Sequence, residues 1–295
     1  MSRRALLQGL TALAASGAAS SLAPVQAVAE DSAKLTGIHF GAQTNAWRIN
    51  PNDFDSLLAV LAEVRKVGYE GFETGFANVK QQFPHAAEAR QRIASTGLTF
   101  FGVHIFLPAE RYDPQTKIAP RSLYEQVARG GVALGARHLI FSSIPTSGAE
   151  ELRRKAAALN VAGQFAKQLG IALAYHNEKN TEGVGELDAL YVATDPEYVS
   201  FLLDAGHAYL AGVEVPAFLG KHHRRIVGIH LRDFRDGAQV PLGEGTFPLI
   251  QTAAVLKEVK WQGWALNEEE REDGTKAGLK FIEPAFQAMQ RAFEA

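Results

Sequence analysis

The stretch FLLDAGHAYLAG, Phe201–Gly212, sets the reading of the whole chain. Phe201, Leu202 and Leu203 are apolar on both faces of an extended run, the habit of a parallel strand covered by packed layers on either side. The run then ends on a carboxylate, Asp204, and an imidazole, His207, follows where Gly206 frees the backbone to turn. A carboxylate buried alone would suffer a large desolvation penalty or give up its charge. Something beyond the end of this strand has to compensate Asp204.

The same pattern repeats outward from it. Upstream, IALAYHNE (Ile171–Glu178), ARHLIFSS (Ala136–Ser143), LTFFGVHIF (Leu98–Phe106), YEGFETG (Tyr69–Gly75) and GIHFGAQ (Gly37–Gln43) read as strands; downstream, RIVGIHLRD (Arg225–Asp233) and GWALNEEE (Gly263–Glu270) do the same. Most are separated by helical periods. Leu57, Leu58, Leu61 and Val64 fall on one helical face with Gly68 as a stop, and helices are predicted near His85–Ser95, over Ser122–Gly135 and over Ala149–Leu169. A last helix, Lys276–Phe293, closes the chain. Strands and helices alternating in this way predict an α/β fold, a single (β/α)8 TIM barrel spanning residues 30–295. An open doubly wound sheet is the competing architecture, but no G-x-G-x-x-G follows the first strand. No repeat, low-complexity linker or second domain is evident.

The residues before the barrel read differently. Arg3 and Arg4 precede an apolar stretch from Ala5 to about Leu22, and Ala27 and Ala29 form an A-x-A arrangement, so residues 1–29 read as a cleavable export signal. SRRALLQ resembles the twin-arginine signal, which predicts a periplasmic protein exported after folding. Gln8, Gly9, Ser16 and Gly17 interrupt the apolar stretch, which argues against a stable membrane anchor. A net charge of -2 gives no broad footprint for nucleic acid or an anionic surface. The absence of cysteine excludes disulfides, thiolate metal sites and cysteine nucleophiles.

In a barrel of this kind the chemistry sits at the C-terminal ends of the strands. Polar residues gather there: Glu73 after the second strand, His104 in the third, His176, Asn177 and Glu178 after the fifth, and Asp204 with His207 after the sixth. His230, Arg232 and Asp233 follow on the seventh, and Glu268, Glu269 and Glu270 on the eighth. Taken singly, each has a bland explanation, and Glu268–Asp273 alone would be a solvated charge run. Carboxylates converging on one barrel mouth would repel one another, and a divalent cation removes that difficulty. Oxygen-rich ligands with one or two imidazoles suit Mn²⁺ or Mg²⁺ best, with Co²⁺ and Zn²⁺ also admitted. His104, Glu73, Arg232 and Trp47 are the candidate substrate-binding residues, although Trp47, like Tyr209 and Phe234, also reads as packing.

LAYHNE, FLLDAGHAYLAG, IVGIHLRDF and WQGWALNEEERED together resemble the xylose isomerase-like TIM-barrel superfamily, in particular its sugar phosphate isomerase/epimerase group, over essentially the whole mature length. TDPEYVSFLLDAGHAYLAG with GWALNEEE is especially similar to inosose dehydratases. The resemblance implies one metal held by Glu178, Asp204, His230 and Glu268, with His207 beside it contacting substrate oxygens. Many relatives read YHNH at the fifth strand with a Glu a few residues later, so His176, Glu178 and Glu182 compete for that ligand position, with Glu178 favoured. The endonuclease branch of the superfamily needs further histidines after the second and third strands, and Glu73 stands where one is expected. No nucleic acid partner is predicted.

The implied chemistry is a divalent-metal-dependent isomerisation or epimerisation of a non-phosphorylated sugar or keto-sugar through an enediolate. Glu178 and Glu268 would move the proton, and His207, His176 and Arg232 would orient hydroxyls or stabilise the oxyanion. Departure of a β-leaving group instead would make the chain a lyase, a dehydratase or a keto-glycoside-cleaving enzyme. An exported sugar-binding barrel without catalysis is the non-enzymatic reading. The common assemblies of relatives imply a homo-oligomer, though the sequence locates no interface.

Overall fold

In a computed structural model, which describes residues 37–178, 184–270 and 274–294, the strands close into an eight-stranded parallel barrel. Its strands are β1 (Ile38–Gln43), β2 (Gly71–Gly75), β3 (Thr99–Ile105), β4 (His138–Phe141), β5 (Ala172–His176), β6 (Val199–Asp204), β7 (Ile226–Leu231) and β10 (Gly263–Asn267). They pair in the order β1-β10-β7-β6-β5-β4-β3-β2. Two short strands, β8 (Asp233–Arg235) and β9 (Ala238–Val240), form a separate antiparallel hairpin just after β7. The expected export signal, 1–29, and Glu182 lie outside the described residues. No helix among the described residues is long and apolar enough to cross a membrane.

The outer ring consists of α1 (Phe54–Val67), α2 (Ala86–Ala94), α3 (Arg121–Leu134), α4 (Ala149–Gln168), α5 (Val184–Ala193), α6 (Ala205–Leu210), α7 (Val215–His222), α8 (Leu249–Glu258) and α9 (Leu279–Glu294). α1 shows how local sequence sets their limits. The Asp53 carboxylate accepts from the Asp55 N–H 3.0 Å away, capping the start, and Gly68 ends the helix at φ 117, a left-handed conformation that glycine adopts without strain. Leu57, Leu61 and Val64 are fully buried against the sheet, as their spacing predicts. α5 has no such stripe, because apolar residues surround it, and periodicity alone does not reveal it.

Inside the barrel, parity along each strand sorts the side chains into layers. One inward level holds Gly41, Gly71, Gly102, Ile140, Ala174, Leu202, Gly228 and Leu266. Two residues further along each strand comes Gln43, Glu73, His104, Ser142, His176, Asp204, His230 and Glu268. The lower level is dry and tightly filled: Phe101, Ile140, Ala174, Leu202, Trp264 and Leu266 form a cluster of their own. Trp264 fits because Gly71 lacks a side chain, since a Cβ there would come within 2.4 Å of the indole. The upper level is polar in every strand. Register sets Asp204 opposite His230 across β6 and β7 and Gln43 opposite Glu73 across β1 and β2, while the stagger of the barrel pairs His176 with Leu202 and His230 with Leu266.

Candidate metal centre and active site

His230 lies at the centre of the upper layer. Its Nε2 lies 2.7 Å from Glu73 Oε2, while Nδ1 faces His176 Nε2 at 3.0 Å and Glu268 Oε2 at 2.6 Å. Glu73 therefore orients the ring from behind, with its other oxygen 2.8 Å from His104 Nδ1. Burial, the largest influence on Glu73, pushes its pKa up, but His230 and His104 prevail and hold it at about 2. Burial likewise works against a charged His230, yet Glu268 and Glu73 raise its pKa to about 9.

Asp204 ends β6 and caps α6: its Oδ1 accepts from the His207 N–H at 2.7 Å, which leaves Oδ2 turned into the barrel. His207 Nδ1 is 3.2 Å from that oxygen. Burial lowers the His207 pKa to about 4 despite this carboxylate, so the ring is neutral. Arg232 places one guanidinium nitrogen 2.9 Å from Asp204 Oδ2 and the same nitrogen against Glu268 Oε2. Burial opposes ionisation of Asp204 and of Glu268. Arg232 for the first, and Arg232 with His230 for the second, keep both below the ordinary carboxylate range.

One atom each from His176, Asp204, His230 and Glu268 lies within 4.8 Å of all the others. Ligand atoms about 2.0–2.2 Å from a shared ion would stand about 3–4.4 Å apart, so the set has the right size. Asp204 Oδ2 and Glu268 Oε2 are buried without a well-formed hydrogen bond, as is His207 Nδ1. Buried acceptors of this kind are what a cation would satisfy. These four residues fit a divalent metal site.

The fifth-strand donor in this group is His176 rather than the favoured Glu178. The reason is geometric: His176 Nε2 lies 3.0 Å from His230 Nδ1 and 3.6 Å from Asp204 Oδ2, whereas Glu178 reaches the far side of its ring, Oε1 lying 3.2 Å from His176 Nδ1. The Ser142 hydroxyl donates to that same Glu178 oxygen, and also meets His104 Nε2 at 2.7 Å. Burial raises the Glu178 pKa, but His176 and Ser142 outweigh it and hold it at about 2. His176 is raised well above its ordinary value, with Asp204 and Glu178 overcoming burial.

Above the donors opens a cavity of about 230 Å³. Of the residues singled out in the sequence, His104, His176, Glu178, His207, Arg232 and Glu268 line it, while Glu73, Asp204 and His230 lie beneath, fully buried. Trp47 is not in the wall; its indole donates to Glu63 of α1 at 2.7 Å and packs against Gly278. Its neighbour Asn45 is in the wall instead, and its amide donates to Glu268 Oε1 at 2.9 Å. Gln43, Asn78, Phe76, Phe106 and Glu270 complete much of the lining, and none was singled out for it except Glu270 as a strand-end carboxylate. Gln43 and Ser142 were legible in principle, since both end strands on the inward parity.

A family described as xylose isomerase-like TIM barrel matches residues 61–285. The inosose dehydratase of Salmonella typhimurium is 27% identical over 154 residues, covering 45% of this chain and 51% of that protein. The chain thus spans about half the length of the curated relatives it matches. Among solved structures, L-ribulose 3-epimerase superposes with a TM-score of 0.72 at 18% identity over 87% of this chain and 95% of the other. The 3-keto-D-glucoside 4-epimerase of E. coli gives 0.67 at 14%, over 86% and 99%. At those identities the structures share the fold.

Proposed function

The chain belongs to the xylose isomerase-like TIM-barrel family, and from that premise we propose a divalent-metal-dependent isomerase or epimerase of a non-phosphorylated sugar or keto-sugar. The observation that carries the reading is a carboxylate kept ionised, Glu178, in the wall of a small cavity of mixed lining beside the buried four-donor group. His176, Asp204, His230 and Glu268 would hold the ion, with Mn²⁺ the best match to two imidazoles and two carboxylates. When bound, the ion would supply Lewis-acid stabilisation of negative charge developing on the substrate carbonyl.

The chain's own residues account for the proton. Glu178, fixed by Ser142 and His176, takes it from the carbon next to the carbonyl, leaving an enediolate. For isomerisation the protonated Glu178 hands the same proton to the neighbouring carbon; for epimerisation Glu268, fixed by Asn45, takes a proton from water and gives it to the other face of the carbon while Glu178 releases its own to water. Neutral His207 and the amides of Asn45 and Asn78 orient hydroxyls. Arg232 is the one lysine or arginine among the described lining residues, and two carboxylates already engage it, which favours a substrate without phosphate. The export signal read in residues 1–29 supports a periplasmic location for this activity.

The inosose dehydratase similarity supports a second reading, a lyase in which a β-leaving group departs after the same proton abstraction. Proton NMR in D₂O with Mn²⁺, on a panel of free ketoses, inososes and 3-keto-glycosides, separates the two. Deuterium incorporation with an epimer or isomer supports the first reading, and an unsaturated product supports the second. Ligand-dependent thermal shifts without exchange on any member would leave a binding barrel and overturn both.

A further inference from the structure

β10 ends at Asn267, and its last ladder bond runs from the Glu268 N–H to the Leu231 carbonyl at 3.2 Å. Beyond that point β7 offers no partner, because the chain turns away at Asp233 into the β8–β9 hairpin. Yet residues 268–270 must keep a strand-like alternation, since Glu268 and Glu270 both line the cavity while Glu269 is buried on the other side. A single side chain takes the missing place. Gln239, on β9, donates its Nε2 to the Glu268 carbonyl at 2.9 Å and to Glu269 Oε2 at 3.3 Å, and its Oε1 accepts from the Glu270 N–H at 3.3 Å. One donor and one acceptor on a planar amide is what a neighbouring peptide group would present.

The hairpin carrying Gln239 is itself fixed. Asp236 and Gly237 both have positive φ, the two-residue turn that suits a right-twisted hairpin. The buried Asp233 carboxylate accepts from four backbone N–H groups, those of Phe234, Gly243, Gly245 and Phe247, at 2.8–3.0 Å. Gly245 is required there, because a Cβ would come 2.2 Å from Asp233 Oδ1. The hairpin therefore has no evident freedom to shift relative to the β7 end.

We propose that Gln239 is a positioning residue: its carboxamide acts as a surrogate strand that holds the Glu268–Glu270 segment so that Glu268 meets the other three donors. This rests on the metal-dependent reading above. Partners of this kind, one step removed from the ion, typically alter affinity about 10–100-fold.

The test compares wild type with Gln239→Met, which keeps the length and removes all three of these hydrogen bonds, and with Gln239→Glu, which keeps the acceptor for the Glu270 N–H and replaces the donor with a carboxylate oxygen. Calorimetric titration with Mn²⁺ alone and hydrogen exchange at the Glu270 amide are read on the full chain. The expected result is Mn²⁺ binding weakened about tenfold or more in both variants, with faster exchange at Glu270 in Gln239→Met, since Gln239→Glu sets a carboxylate oxygen against the Glu268 carbonyl and Glu269 Oε2. The chelator-treated melting temperature should stay within a few degrees of wild type. Unchanged Mn²⁺ affinity and unchanged exchange in both variants overturn the inference, as does a lowered melting temperature with unchanged affinity, which is what a merely structural role would give. A wild type that binds no Mn²⁺ overturns the metal reading, while exchange at Glu270 still decides whether Gln239 templates the segment.

Discussion

The two inward layers of the barrel are equally buried and chemically opposite. On β10 the change takes two residues: Leu266, fully buried, packs in the dry cluster with Trp264, and Glu268, 3% exposed, joins the donor group. β6 passes likewise from Leu202 to Asp204, and β5 from Ala174 to His176. The lower layer gains free energy from burial, about 25 cal/mol per Å² of apolar surface. The upper layer opposes folding unless its charges compensate one another, and Arg232 with the imidazoles of His230 and His176 does much of that compensation. The same strands thus carry stability and chemistry at adjacent levels, and the comparison predicts that each level can be altered separately.

The largest effect should come from the top. On the proposed reading Glu268→Gln removes a metal donor and a proton carrier together, so turnover should fall about 10³-fold or more, a loss of several kcal/mol of transition-state stabilisation, and Mn²⁺ affinity should collapse. Steady-state assay and calorimetry measure both. Wild-type turnover would show that the upper layer is a structural network only.

Next comes the bottom. Trp264→Ala empties the space that Gly71 leaves for the indole and should lower stability by about 3–5 kcal/mol. Its Mn²⁺ affinity should stay within about twofold of wild type, because the ligands belong to the layer above. Denaturant titration against Mn²⁺ calorimetry reads the split. A tenfold loss of affinity would mean that the two layers are coupled and the comparison fails.

How legible this was follows from the same parity. Asp204, His230 and Glu268 announce themselves in sequence, because a charged residue after an apolar strand has no packing reason to be there. The barrel follows from repeating that pattern. Gln43 and Ser142 obey it too, but uncharged residues at strand ends carry little signal, and they went unassigned. The choice between His176 and Glu178 was not decidable from sequence: both share the inward parity and line the cavity, and only the folded distances bring an imidazole atom within 4.8 Å of the Asp204, His230 and Glu268 donors while Glu178 meets the other nitrogen of that ring. Trp47 was misplaced for a related reason, since Asn45, two residues nearer the strand end, occupies the wall. The β8–β9 hairpin was not read from the sequence, although Asp236-Gly237 is a two-residue turn signal, and its link to Glu268–Glu270 is a tertiary contact between segments some thirty residues apart.

The smallest effect sharpens the comparison through two imidazoles on opposite levels. His138, at the start of β4, donates from Nδ1 to the Phe101 carbonyl at 2.9 Å and packs on the Phe101 ring. Burial, only partly opposed by that hydrogen bond, lowers its pKa to about 4. In the unfolded chain its pKa returns to about 6.5, so as pH falls from 6.5 toward 4 the unfolded state takes up a proton that the folded state refuses. The stability contributed by neutral His138 is therefore present above pH 6.5 and lost on acidification, by about 1–2 kcal/mol given its partial exposure. His230 has the reverse sign: with its folded pKa raised to about 9, its contribution is present below about pH 6.5 and is lost as pH rises toward 9. Replacing His138 by Asn keeps a donor for the Phe101 carbonyl and removes the titration. Urea unfolding of chelator-treated protein between pH 7 and 4.5 should then show a shallower loss of stability than wild type. Parallel curves would place the acid sensitivity of this fold in the upper layer alone.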